Sequence, residues 1–150
     1  MTVDFSFRRV PAMHVAAISW KGAWSDAKVR ANFARVAAWA KANRLRTGKW
    51  VFREPGERAF EVAIEVRGRA VSSGGVRRKT YPAATVASVT FDPDVVSARV
   101  VYHGITDWLR WRKREKEIRS VGQYREVYDA DPWRNPKAWA RTNVQVVVRR

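Results

Sequence analysis

The sequence predicts an α+β domain made of two pseudo-symmetric β-α-β-β units, and three observations predict it. A short segment occurs twice, 71 residues apart: Pro11, Ala12, Val15, Ala16, Ile18 and Trp20 return as Pro82, Ala83, Val86, Ala87, Val89 and Phe91. Internal self-similarity of this kind marks repeated structural units. Each copy is followed by a helix-start signal and a run with helical apolar spacing. Each helical run is followed by two strand-like segments, so the order strand, helix, strand, strand is written twice. Such a pattern packs as an antiparallel sheet with the two long helices on one face and a groove between them. The expected boundaries are 1–67 for the first unit, 68–75 for a linker and 76–150 for the second, together a single domain.

Taken in order, residues 3–20 read as strand with a bend at Arg9-Val10-Pro11. The repeated segment is rich in β-branched and small residues, and a proline at its start suits a strand beginning. After a turn at Lys21-Gly22, Ser25-Asp26 offers an N-cap. Val29, Phe33, Val36, Ala37 and Ala40 then fall on one helical face. Thr47-Gly48 is the expected stop, with Lys41, Arg44 and Arg46 in the last turns, where cations complement the helix dipole. Residues 50–54 form a strand, Pro55-Gly56 a turn, and residues 60–66 alternate strictly, with Phe60, Val62, Ile64 and Val66 against Glu61, Ala63 and Glu65. Residues 68–75 are polar and glycine-rich.

In the second unit Asp92-Pro93 predicts a helix start, and the helix runs to about Glu117 with Ala98, Val101, Ile105, Trp108 and Leu109 as its apolar face. Gly104 inside it costs about 1 kcal/mol against alanine, which implies either close packing there or space left for something else. Gly122 ends the connection. Residues 124–128 are a strand, 131–136 a long turn and 142–148 the closing strand.

Composition narrows the function. Of 150 residues, 46% are hydrophobic, enough for one real core. There is no cysteine, and His14 and His103 are the only histidines. Disulfides and thiolate metal sites are excluded, and no zinc-type histidine spacing occurs. No metal and no cofactor is expected. No apolar run reaches membrane-span length and the N-terminus lacks a signal-peptide core, which predicts a cytoplasmic protein with no membrane partner. Lys and Arg number 30 against 14 acidic residues, a net charge of +16. That balance reads either as a nucleic-acid partner or as a solvated cationic surface.

Strand periodicity places Tyr124, Glu126 and Tyr128 on one face. A carboxylate between two rings suits a cationic or planar ligand, and in a dry setting it could serve as a general base. The other reading of the same spacing is an exposed sheet face with Glu126 paired to arginine. Eight tryptophans are many for this length, and an aromatic surplus often lines a pocket. Trp20, Trp39, Trp108 and Trp111 are the candidates. Residues 108–119 interleave rings with basic side chains, which fits either phosphate binding or a charged helix end. His103 reads as a surface residue or a proton shuttle. No phosphate loop, dinucleotide-binding glycine motif or nucleophilic triad can be assembled.

Residues 11–16 (Pro-Ala-Met-x-Val-Ala), Arg125-Glu126-Val127-Tyr128, Asp131-Pro132 and the closing segment 141–148 resemble the GyrI-like small-molecule-binding domain. The resemblance covers nearly the whole chain. It implies a ligand held in a groove between two β-α-β-β units by aromatic stacking and a glutamate, for which Glu126 is the matching position. It also implies kinship with the effector-binding halves of multidrug-sensing and AraC-type transcription regulators. Some members are hydrolases of reactive cyclopropane compounds with a glutamate base, and one inhibits DNA gyrase. Asn143 stands where the closing strand usually carries an acid, Asp92-Pro93-Asp94 replaces a glycine turn, and the segment with Tyr102, Trp108 and Trp111 is atypical.

The expected function is therefore binding of an aromatic or cationic small molecule, in a stand-alone sensor or sequestration domain with no DNA-binding segment ahead of it. The ligand-binding residues would be Glu126, Tyr124, Tyr128, Trp20, Trp39, Tyr102, Trp108, Trp111 and Asn143. The alternatives are a hydrolase with Glu126 as general base, and a basic protein contacting nucleic acid or DNA gyrase.

Overall fold

The computed structural model describes residues 3–150. Among these residues there are eight strands and three helices: β1 (Ser6–Val10), β2 (Met13–Lys21), α1 (Asp26–Ala42), β3 (Arg46–Gly56), β4 (Ala59–Arg67), β5 (Arg77–Tyr81), β6 (Ala84–Phe91), α2 (Ala98–Arg114), β7 (Ser120–Tyr128), α3 (Pro136–Ala140) and β8 (Thr142–Arg149). The strand pairings described within each half are antiparallel. This is the α+β architecture that the sequence predicts. The chain forms two compact units. One is continuous, Ala12–Pro82; the other is split, combining the residues up to Pro11 with Ala83–Arg150.

In the continuous unit the strands lie in the order β3-β4-β2-β5. Register is fixed by apolar pairs such as Ala16 with Ile64 and Ile18 with Val62. The Ser25 side chain accepts a hydrogen bond from Lys28 N at 3.2 Å and starts α1. That helix buries Val29, Phe33, Val36 and Ala40, and Phe33 stacks on Trp50 of β3 with ring centroids 4.9 Å apart. The helix ends earlier than its sequence suggests. Asn43 caps it and Arg44 turns the chain at φ +57°. Only Lys41 of the three expected cations lies in the last turn. Thr47 and Gly48 belong to β3, where a register shift falls between Thr47 and Trp50. A Cβ on Gly48 would lie 2.3 Å from Glu65 Oε1, so a larger residue there would push the Glu65 side chain aside.

In the split unit the order is β1-β6-β8-β7. Here α2 covers the sheet with Val101, Ile105 and Leu109 against Ala87, Val89, Phe91, Val144, Val146 and Val148. The expected helix start at Asp92-Pro93 is only a single turn. The Asp92 carboxylate accepts from Asp94 N and its carbonyl from Val95 N and Val96 N, after which the chain extends and restarts at Ala98 with Ser97 as N-cap. Glu115 likewise caps α2 short of Glu117. Gly104 makes the expected close approach: a Cβ there would sit 2.9 Å from the Phe5 ring. Gly122 lies inside β7, beside the register shift between Val121 and Tyr124, and does not end the connection. The stretch after the expected turn at 131–136 contains α3, started by the Asn135 side chain accepting from Lys137 N and Ala138 N.

The repeat is visible in the register. Val15 pairs with Lys79 and Ser19 with Glu61; at the matching positions Val86 pairs with Arg8 and Thr90 with Asn143. Each unit thus places a polar side chain of its closing strand beside a base on its short edge strand. Among the described residues no helix is long and apolar enough to cross a membrane.

Candidate functional site

β7 presents Tyr124, Glu126 and Tyr128 on the side of its sheet that faces α2, because alternate strand residues share a face. α2 brings Tyr102 and Thr106 to the same place, one turn apart. The Tyr102 hydroxyl donates to Glu126 Oε1 at 2.6 Å and the Tyr128 hydroxyl to Glu126 Oε2 at 2.5 Å. The Tyr124 hydroxyl shares a 2.8 Å hydrogen bond with Thr106 Oγ1. The Tyr102 and Tyr124 rings lie nearly parallel, 19° apart, with centroids 6.0 Å from each other. Tyr128 is buried, and that burial, followed by the Glu126 charge and their hydrogen bond, pushes its hydroxyl well above the ordinary tyrosine range. It therefore stays a proton donor to Glu126 at any physiological pH.

Glu126 itself is half-buried. Among the described residues no lysine, arginine or histidine pairs with it, although the chain carries a net charge of +16. The arginine partner expected of a plain solvated face is not there. Two phenol donors fix the carboxylate in place, but they supply no counter-charge. The negative charge remains available to a cation, beside ring faces that also attract cations.

The other residues singled out by sequence have different surroundings. Trp108 packs on Phe7 and Phe5, at 4.8 and 5.8 Å between centroids. Trp111 is 51% exposed on α2, with the Arg112 guanidinium 4.7 Å from its ring. Asn143 alternates with the apolar residues that face α2, so it lies on the opposite face of the sheet. It is buried there, its Nδ2 donating to Ser88 Oγ, Val89 O and Thr90 Oγ1 and its Oδ1 accepting from Arg8 and Gln145. Trp20 and Trp39 belong to the continuous unit. Trp20 packs on Phe60 at 5.7 Å, with its buried indole N–H lacking a hydrogen-bond partner. The Trp39 indole donates to Ser73 Oγ at 2.9 Å. His103 is exposed on α2.

A second acidic centre, in the continuous unit, was not singled out by sequence. Glu61 is 1% exposed and accepts hydrogen bonds from Ser19 (2.8 Å), Arg53 (2.5 Å), Lys79 (2.6 Å) and Tyr81 (2.6 Å). Burial alone would raise its pKa. The four donors, Arg53 and Lys79 foremost, outweigh burial and bring it down to about 2. Both oxygens are satisfied and two cations more than neutralise the carboxylate, so this cluster is a polar joint of the fold. The sequence signal was available only as a base at 53 and another at 79 across from an acid. Among the described residues no group of three or more His, Cys, Asp or Glu side chains could hold a metal ion.

The family model for the GyrI-like small molecule binding domain matches residues 4–149. The chain belongs to the GyrI-like family. Among solved structures, this GyrI-like domain is similar to the EcmrR C-terminal domain, with a TM-score of 0.78 and 16% identity over 100% of this chain and 99% of that one. SAV2435 bound to tetraphenylphosphonium superposes with a TM-score of 0.54 at 7% identity, over 97% and 94% of the two chains. A hydrolase from Listeria innocua gives 0.60 at 10% identity, over 96% and 90%. At these identities the likenesses show the fold. No curated protein matches the chain.

Proposed function

We propose that this GyrI-like domain binds an aromatic or lipophilic small cation, with Glu126 as counter-charge and Tyr102, Tyr124 and Tyr128 as ring walls and positioning donors. One observation carries the reading: a half-buried carboxylate fixed by two phenols and left without a cation in a strongly basic chain. A half-buried charge without a counter-charge is costly, which favours a binding role for it. A solved structure of the same fold holds tetraphenylphosphonium, a cation of the class proposed. The general-base reading has less support. Both Glu126 oxygens already accept hydrogen bonds from Tyr102 and Tyr128, which leaves the carboxylate fewer open positions for a substrate proton.

Calorimetric titration with tetraphenylphosphonium and with a neutral aromatic of similar size tests the proposal. At about 5 Å and an effective dielectric near 20, one charge pair is worth about 3 kcal/mol before solvent screening. Glu126→Gln should therefore weaken the cation at least tenfold and leave the neutral compound nearly unchanged. Equal affinity of wild type and Glu126→Gln for the cation would reject the assignment. Turnover of an electrophilic substrate that disappears in Glu126→Gln, without cation binding in wild type, would favour the hydrolase instead.

A further inference from the structure

We infer that the C-terminal end of α2 is a docking surface for single-stranded nucleic acid, gripped at its phosphates by basic side chains and stacked at a base on Trp111. Residues 110–119 contain six basic side chains and two acidic ones. Arg112 is engaged by Glu117 at 2.8 Å, and Arg110 makes only a loose 3.7 Å contact with Asp107. Among the described residues no carboxylate pairs with Lys113, Arg114, Lys116 or Arg119. All four are exposed. The end of β8 adds to them, since Arg119 N donates to Arg149 O.

Rings and cations stack through this region in one contiguous ladder. The Arg150 guanidinium lies 5.1 Å over Phe7, Phe7 packs on Trp108, Arg112 lies 4.9 Å over Trp108 and 4.7 Å over Trp111. The ladder ends in the exposed ring of Trp111, held in place by Arg112 beneath it. A fixed aromatic face among unpaired cations is the combination by which proteins bind single strands, whose bases are free to stack.

The fold does not demand this charge. α1 is the repeat-equivalent helix and also has 17 residues, and it closes with Lys41 as the only base in its last turn. The last turn of α2 carries Arg112, Lys113 and Arg114. Helix-dipole complementation thus needs far less than α2 supplies. An anionic membrane fits less well, because the apolar face of α2 (Val101, Ile105, Leu109) is buried in the core and only Val100 and Trp111 are exposed large apolar residues on the helix.

The test is fluorescence anisotropy of labelled oligothymidylate, twenty nucleotides long, with the full chain at several NaCl concentrations. Each phosphate contact on a single strand contributes about −0.7 to the slope of log Kobs against log [NaCl]. Wild type should show a slope of about −3 to −4. Arg110→Ala/Lys113→Ala/Arg114→Ala should flatten it by about 2, and Trp111→Ala should weaken binding about tenfold or more. Arg110→Lys/Arg114→Lys should keep the slope, which separates lost charge from lost folding. Glu126→Gln should bind the strand as wild type does, so this surface stands apart from the small-molecule site. Absence of binding at 50 mM NaCl would overturn the inference, and so would a slope unchanged in the triple variant. Tighter binding to duplex or to phosphatidylglycerol vesicles than to the single strand would overturn it as well.

Discussion

Replacing Glu61 by glutamine removes one negative charge from a buried cluster and leaves its shape nearly intact. The carboxylate titrates near 4.5 in an unfolded chain and at about 2 in the folded one. Each pH unit of such a displacement corresponds to about 1.4 kcal/mol. The ionised form of Glu61 therefore contributes about 3 kcal/mol to folding. Because the folded value is the lower one, that contribution is complete above about pH 4.5. It falls away as pH drops towards 2 and is gone below it. Against the 5–15 kcal/mol typical of a domain, this is a large share. Urea unfolding of wild type and Glu61→Gln at fixed ionic strength, followed by tryptophan fluorescence from pH 2 to 7, measures it. The variant should be less stable by about 3 kcal/mol at pH 5 to 7. Arg53 and Lys79, at 21% and 35% side-chain exposure, can recover some hydration when the charge is lost, which keeps the cost from rising further. The gap should close towards pH 2. An acid limb as steep in Glu61→Gln as in wild type would refute the reasoning, since other carboxylates would then set the pH dependence.

Two further outcomes follow from the structure. Gly68 has φ +123°, and a Cβ there would meet Leu45 Cδ2 at 2.8 Å; Gly68→Ala should cost about 1–3 kcal/mol in thermal or urea unfolding. Asn143→Asp replaces the Nδ2 donor that faces the Val89 carbonyl at 3.1 Å with an oxygen. It should cost about 1–3 kcal/mol at pH 7 and less as pH falls, because only the protonated carboxyl can donate to that carbonyl; denaturation midpoints at pH 4 and 7 compare the two.

Local pattern carried much of the fold. The duplicated segment became β2 and β6, the 3.6-residue spacing of Val29, Phe33, Val36 and Ala40 became α1, and the alternation after Phe60 became β4. Period-two placement also put Tyr124, Glu126 and Tyr128 on one face, as the hydrogen bonds bear out for Glu126 and Tyr128. What escaped was set by distant residues. Asp92-Pro93 has every local mark of a helix start, yet tertiary packing begins the helix at Ala98, where the apolar stripe can reach the core. Tyr102 is among the sequence candidates, but its hydrogen bond to Glu126 spans 24 positions and two elements, beyond the reach of local pattern. Alternation sets Glu61 on the face opposite Phe60 and Val62, but it cannot say that both faces are covered. Ala63 beside it is fully buried as well.

The pairing of β1 with β6 has a consequence for how such a chain could have arisen. A single copy of the repeat ending at Arg67 carries β1 but no β6 to receive it, and its β2 lacks β5. Two separate copies would have to trade their leading strands, which is domain swapping between protomers. Joining the copies in tandem makes that trade intramolecular and independent of protein concentration. It also releases the halves to diverge. One holds an ionic joint at Glu61 where the other has the neutral amide of Asn143.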